Sequence, residues 1–338
     1  MTLPLPRTYE AQEATTADEL PSGGGWRYEP KWDGFRCLAF RDGDTVDLRS
    51  KAGKPLTRYF PELVTALLAL RAKQFVIDGE IVVTDDGVLS FDALLQRVHP
   101  AASRIEKLSR ATPAALIVFD LLVDARGNDL TAEPLSARVK ALASFAKQFK
   151  SPTVLLSPGT SVLRSARGWL TGKDGTDGVM AKRLDSAYAT GTRDAMVKVK
   201  RKRTADCVVG GFRYSSSGKT LGSLLLGLYD KQGLLHHVGF TSNVPKDERA
   251  RILRWLEKHV VKQSFTGKAP GGPSRWAAKE REWFPVKPEM VIEVGYDHVS
   301  NERFRHGTSF LRERPDKAAR QCTYVQITPI AKRQRKPR

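Results

Sequence analysis

Phe75-Val-Ile-Asp-Gly-Glu-Ile-Val-Val83 is an apolar run interrupted by two carboxylates. Its length and its β-branched residues read as a buried strand. The two-residue period of a strand places Asp78 and Glu80 on one face, with Ile77, Ile81 and Val83 on the other. Carboxylates projecting from a buried strand repel one another and resist ionisation unless a metal ion or a hydroxyl group satisfies them. The stretch therefore marks a site as well as a piece of a sheet.

Outward from it, ALIVFDLL (115–122) reads as a second buried strand and Pro61 to Ala72 as an amphipathic helix. This mixture predicts an α+β domain. After MVKVKRKR (196–203) the character changes to short strands punctuated by glycine: DCVVGGFRY (206–214), SLLLGLYD (223–230), LLHHVGF (234–240) and MVIEVGYDHV (290–299). A small β-barrel is expected there, interrupted by a helix over Lys246 to Val261 and a Gly/Pro-rich loop from Thr266 to Ser274. The expected organisation is a loosely ordered stretch over 1–25, the α+β domain over 26–202, the barrel over 203–325 and a basic tail over 326–338.

At 338 residues, 41% of them apolar, the chain can build two cores. It has no apolar run of about 18 residues and its start lacks the order of a signal peptide, so neither a membrane span nor secretion is expected. The reading is a cytosolic monomer. Cys37, Cys207 and Cys322 are odd in number and lack CxxC spacing, which argues against a disulfide framework or a zinc site. Lys and Arg number 56 against 37 Asp and Glu, a formal charge of +19 that favours a polyanionic partner such as nucleic acid. Residues 1–200 carry +4 of it and residues 201–338 carry +15.

Tyr28-Glu-Pro-Lys-Trp-Asp-Gly-Phe-Arg36 sets Lys31 between a strand and an Asp-Gly turn. A lysine attacks phosphorus only after losing its proton, which calls for nearby cations or desolvation. In Val197-Lys-Val-Lys200 the strand period puts Lys198 and Lys200 on one face, able to meet one phosphate and to act on Lys31 by like-charge repulsion. Alone, KxDG is a short pattern, and Phe119 at the end of an apolar strand reads as core.

Taken together these stretches resemble the covalent nucleotidyltransferases, the superfamily of DNA ligases, RNA ligases and mRNA capping enzymes. KWDGFR (31–36) is similar to motif I, RSKAG (49–53) to Ia, VIDGEIVV (76–83) to III, IVFDLL (117–122) to IIIa, DGVMAK (177–182) to IV, VKVK (197–200) to V and RHGTSFLRERPDK (305–317) to VI. The likeness covers about residues 26–322 and is nearest to bacterial ligase C and to the ligase domain of ligase D. It implies a nucleotidyltransferase domain followed by an OB-fold barrel, and an ATP-dependent DNA ligase that seals nicks in duplex DNA in repair, with possible repair-protein partners.

The resemblance further implies that Lys31 is the nucleophile that becomes adenylated. Glu29 reads the adenine amino group, Phe119 stacks on adenine, Glu80 holds the ribose, and Arg36 and Arg49 bind ribose or the nick phosphate. Lys198 and Lys200 contact the α-phosphate. Arg305, Asp316 and Lys317 orient the leaving pyrophosphate. Asp177, where the family usually has glutamate, would join Glu80 in binding Mg²⁺ or Mn²⁺ through hard oxygen ligands. Gly307 stands where related ligases often have proline. An RNA ligase or capping guanylyltransferase shares the lysine and the plan. A non-catalytic nucleic-acid scaffold is the reading from another class, against which the intact Lys31, Glu80, Lys198 and Lys200 weigh.

Overall fold

The computed structural model describes residues 3–85, 87–172, 176–216, 218–271 and 282–328. The chain divides into two compact units, Met1–Arg201 and Lys202–Arg338.

In the first unit the strands are β1 (Thr15–Ala17), β2 (Trp26–Lys31), β3 (Phe35–Asp42), β4 (Thr45–Ser50), β5 (Gln74–Asp85), β6 (Val88–Leu89), β7 (Ala114–Val123), β8 (Val154–Leu156), β9 (Gly178–Arg183) and β10 (Met196–Lys200). The helices are α1 (Pro61–Leu68), α2 (Phe91–Leu95), α3 (Ala102–Ala111), α4 (Leu135–Phe145) and α5 (Leu163–Trp169). One sheet runs in the order β4-β3-β5-β7-β8, with β6 paired to β5, and a second runs β1-β10-β9-β2. Ile77, Ile81 and Val83 of β5 enter a core with Leu63 and Leu67 of α1, Leu116 and Val118 of β7 and Leu142 of α4. Each large aliphatic side chain buried there stabilises the fold by about 1.5–3 kcal/mol.

Helix α1 opens with Pro61 in its first turn and stops at Leu68, short of the expected Ala72. The buried Arg41 donates from Nη1 to the carbonyls of Leu67 and Leu70 at 2.6 and 2.8 Å. A guanidinium thus satisfies carbonyls at the helix end, where the chain turns toward β5.

The amino-terminal stretch departs from the loose order expected of it. β1 pairs in parallel with β10, Thr16 opposite Lys198. Leu5 and Ala11 are buried with Leu38, Phe40, Val76 and Tyr188. The reason lies in the sheet: β3 and β5 carry apolar residues on both faces, and the face opposite α1 requires a cover. Few residues of the strap are apolar, so its own composition hides this role.

In the second unit come β11 (Arg203–Ser215), β12 (Gly218–Tyr229), β13 (Leu235–Asn243), α6 (Lys246–Lys258), β14 (Phe284–Pro285), β15 (Val291–Tyr296), β16 (Val299–Ser300), β17 (Arg303–Phe304) and β18 (Thr308–Glu313). The pairings β12-β13-β18-β15-β11, together with β11 to β12, close a ring, and β14 adds to β11. Closure, through a parallel pairing of β13 with β18, leaves the ring without an open edge, which is how a small barrel avoids unpaired backbone. Its core holds Val208, Phe212, Leu224, Leu226, Val238, Ile292 and Val294, capped by Ile252 and Leu256 of α6. The helix ends at Lys258, before the expected Val261, and His259 turns back so that its Nδ1 lies 2.7 Å from the Trp255 carbonyl.

Gln326, expected in the tail, belongs to the barrel. Its side chain accepts from the Asp206 N–H at 2.9 Å and donates to the Asp206 carbonyl at 3.0 Å, and Ile327 is in the core. Residues 329–338 of that tail and 272–274 of the Gly/Pro-rich loop lie outside the described residues. The three cysteines are buried free thiols. Among the described residues no helix is long and apolar enough to cross a membrane.

Candidate active site

The sheet β1-β10-β9-β2 carries the lysines. Its registers align Glu29 with Met180 and Lys198, and Lys31 with Gly178 and Lys200. Directly opposed residues share a face, so Glu29, Lys31, Lys198 and Lys200 project together. Tyr28, Val179 and Ala181 take the opposite face and pack with Ala166, Leu163 and Trp169 of α5. Gly178 permits the middle of the row: a Cβ there would stand 2.1 Å from the Val199 carbonyl oxygen and 2.9 Å from the Lys200 Cα.

Lys31 Nζ donates to Asp177 Oδ2 at 2.7 Å, and the Asp177 N–H donates to the Lys31 carbonyl at 2.8 Å. The buried Asp177, assigned to a metal by resemblance, thus holds the candidate nucleophile by side chain and by backbone. Burial is the main cause that lowers the pKa of Lys198, with Lys51, Lys200 and Lys31 adding repulsion. The mutual action of these lysines is therefore visible at Lys198.

Trp32 to Gly34 carry the chain from β2 into β3, out of the lysine-bearing sheet and across to the sheet of β3 and β5. Gly34 is demanded by that crossing, since a Cβ would meet the Ile81 carbonyl oxygen at 2.2 Å and Glu80 Cγ at 2.9 Å. The glycine of KWDG is thus packed against the strand that bears Asp78 and Glu80. Burial pushes Glu80 up to about 8 against the opposing pull of Arg36 and Lys31, while Asp78 and Asp33 push it further up. Asp78 is satisfied by a guanidinium together with a hydroxyl: Arg36 donates to it from Nε at 2.9 Å and from Nη2 at 2.6 Å, and the Tyr188 hydroxyl donates at 2.6 Å.

Phe119 is not a core residue. The β5–β7 register shifts between Asp78 and Gly79, passing from Asp120 to Val118 and leaving Phe119 in the bulge. A bulge re-aims a side chain, and the ring is half-buried with Lys182 Nζ at 4.5 Å and Arg36 Cζ at 5.2 Å from its centroid. Lys182 also donates to Glu29 at 2.6 Å, and Arg27 donates to the other oxygen of Glu29 at 2.8 Å. Lys182 stands at the end of DGVMAK (177–182), where the sequence alone marked only Asp177. Two-residue alternation from Gly178 through Met180 would have placed Lys182 on the face of Lys31. Arg49 is taken up by Asp47, with both contacts at 2.8 Å, and none of its bonds reaches the Lys31 group among the described residues.

The second unit has its own charged cluster. Asp206, buried at the start of β11, accepts from Arg314 at 2.8 Å and from Lys317 at 2.5 Å. Arg314 also clasps the exposed Asp316 at 2.8 Å and draws its carboxyl down to about 2. Arg314, which the sequence reading did not single out, joins these groups. Arg305 follows β17 and its N–H donates to the His298 carbonyl at 2.9 Å. A Cβ at Gly307 would meet only ordinary contact with Phe240, 3.6 Å away.

A lysine sharing a strand face with two further lysines, beside buried carboxylates and an aromatic ring, is equipped for nucleotidyl transfer. The ATP dependent DNA ligase domain matches residues 11–200, and the ATP dependent DNA ligase C terminal region matches residues 217–317. The chain belongs to the ATP-dependent DNA ligases. It is 43% identical to DNA ligase C2 of Mycolicibacterium smegmatis over 97% of this chain and 96% of that one. To DNA ligase C of Mycobacterium tuberculosis it is 40% identical, again over 97% of this chain and 96% of the relative. A solved mycobacterial DNA ligase D complexed with ATP and MES superposes with a TM-score of 0.51 at 29% identity, covering 94% of this chain and 98% of that one. The ligase is thus built as a nucleotidyltransferase unit followed by an OB-fold barrel, the plan of the DNA ligases it matches.

Among the described residues no three His, Cys, Asp or Glu side chains form a metal cage.

Proposed function

We propose that this ligase seals nicks in duplex DNA through a lysyl-AMP on Lys31. The observation that carries the reading is the Lys31–Asp177 pair at 2.7 Å, set in one row with Lys200 and in the field of Glu80. Lys31 gives up its proton toward Asp177 and attacks the α-phosphate of ATP, forming the P–N bond as pyrophosphate leaves. AMP then passes to the 5′-phosphate of the nick, and the 3′-hydroxyl displaces it as the phosphodiester forms. Each transfer is in line, so catalysis rests on positioning and on neutralising phosphoryl charge.

Lys198 and Lys200 serve the α-phosphate, Phe119 stacks on the adenine, Glu29 takes its amino group and Glu80 the ribose. Arg36 meets ribose or the nick phosphate, and so would Arg49 once released from Asp47. In the barrel, Arg305, Asp316 and Lys317 orient the leaving pyrophosphate. Asp177 and Glu80 would hold Mg²⁺ or Mn²⁺, which when bound neutralises charge on the phosphates. The +15 balance of residues 201–338 supplies sequence-independent grip on DNA phosphates, which an enzyme acting at any nick needs. We place the enzyme in bacterial cytosol, as a monomer acting in repair.

Intact mass before and after ATP with Mg²⁺ tests the central step, with a gain of one adenylyl group on Lys31 as the expected result. Labelling by GTP in place of ATP, or none by either, would overturn the assignment.

A further inference from the structure

Tyr188 lies between β9 and β10, outside all the motifs compared above, and its ring is buried among Leu38, Phe40 and Val76. Its hydroxyl has polar neighbours on three sides: the Gln12 backbone N–H at 3.1 Å, Arg36 Nη2 at 3.4 Å and Asp78 Oδ2 at 2.6 Å. The first two are donors. Only the carboxylate accepts, so the hydroxyl proton is committed to Asp78.

Asp78, fully buried, in turn grips Arg36 through Nε and Nη2. A guanidinium held at two nitrogens has its plane fixed, and Nη1 is left without a partner among the described residues. The same guanidinium lies over Phe119.

We propose that Tyr188 is a positioning residue: its hydroxyl, oriented by the amino-terminal strap at Gln12, locks Asp78, and Asp78 locks Arg36 so that the Nη1 edge is the one offered to ribose or phosphate oxygens. The inference rests on the assignment of Arg36 to the site. It gives the strap a part in the chemistry, although none of its residues needs to touch the nucleotide.

The test is a double-mutant cycle between Tyr188→Phe and Arg36→Ala in the full chain. Tyr188→Phe keeps the ring and its packing under the Arg138 guanidinium, whose Cζ lies 5.6 Å from the ring centroid, and removes only the hydroxyl. Single-turnover adenylation of Lys31 at saturating ATP and sealing of a pre-adenylated nick are measured beside melting temperature. Loosening a positioning contact slows at least one step by about tenfold, with the KM for ATP little changed, and the loss disappears when Arg36 is already alanine.

An equal loss in both backgrounds would show that Tyr188 serves only the fold and would overturn the proposal, as would a Tyr188→Phe enzyme at full rate. An Arg36→Ala enzyme as fast as the parent would overturn the assignment of Arg36, a distinct failure that takes the inference with it. Should Arg36→Ala fall below detection, Arg36→Lys, which keeps the charge and loses the fork, completes the same cycle.

Discussion

The face around Lys31 and the cluster around Asp206 use the same materials, basic side chains held by carboxylates, and differ in which partners are buried. Around Lys31, Glu29, Asp177 and, on the neighbouring sheet, Asp78 are 3%, 2% and 0% exposed; Lys182 is buried with Glu29, while Lys31 and Arg36, held by Asp177 and Asp78, remain partly open to solvent. In the barrel cluster Asp206 is buried and holds Lys317 and Arg314, but the second carboxylate on Arg314, Asp316, has a side chain 64% exposed. A buried carboxylate cannot be left unpaired without a large desolvation cost, so its cation keeps a fixed place. An exposed pair is screened and exchanges readily. The first arrangement suits a group that forms a bond, the second a group that assists one step and lets go.

Removing the nucleophile is the most severe way to test this contrast. Lys31→Ala should lower ATP-dependent ligation by on the order of 10⁵ or more, with no adenylyl mass gained, while sealing of a pre-adenylated nick survives. Persistent labelling of that variant would move the chemistry away from the face. Asp177→Asn comes next. Losing the acceptor of the Lys31 proton should slow lysine adenylation by roughly 10²–10³, read by single-turnover labelling, and a rate near that of the parent would leave Asp177 with a structural role only.

Lys317→Ala addresses the barrel side. Its effect should be confined to lysine adenylation, slower by about tenfold to a hundredfold, with sealing of a pre-adenylated nick within about threefold. Equal losses in both steps would erase the distinction drawn between the regions.

The smallest effect concerns Glu80 and pH. Burial lifts its carboxyl from 4.5 to about 8, so folding favours the protonated form. Its contribution to stability is complete below 4.5 and is lost as the pH rises to about 8. Glu80→Gln should therefore melt with the parent in acid and above it by a few degrees at most once the pH passes 8, and melting curves that stay parallel throughout would contradict the burial of this group.

Much of this was legible in the chain. The apolar runs at 75–83 and 115–122, the change of character near residue 200 and the alternation in Val197-Lys-Val-Lys200 rest on local periodicity, and the structure follows them. The amino-terminal strap was illegible because its residues are mostly polar and its partners, Tyr188 and β10, lie far along the chain. Phe119 looked like core because a bulge leaves no mark in a run of apolar letters. Arg36 and Arg49 looked alike as phosphate forks, yet one is bound to Asp78 and the other to Asp47.

The sequence by itself determined which side chains share a strand face, since the pleat alternates every residue regardless of neighbours: Asp78 with Glu80, and Lys198 with Lys200. Tertiary structure alone decided which carboxylate Lys31, Arg36 and Lys182 meet. Lys31 finds Asp177 across 146 positions of the chain and Tyr188 finds Asp78 across 110. Those pairings depend on strand register and on how two sheets are joined through Gly34, where a close backbone approach selects a residue with no side chain. No local pattern contains that distance.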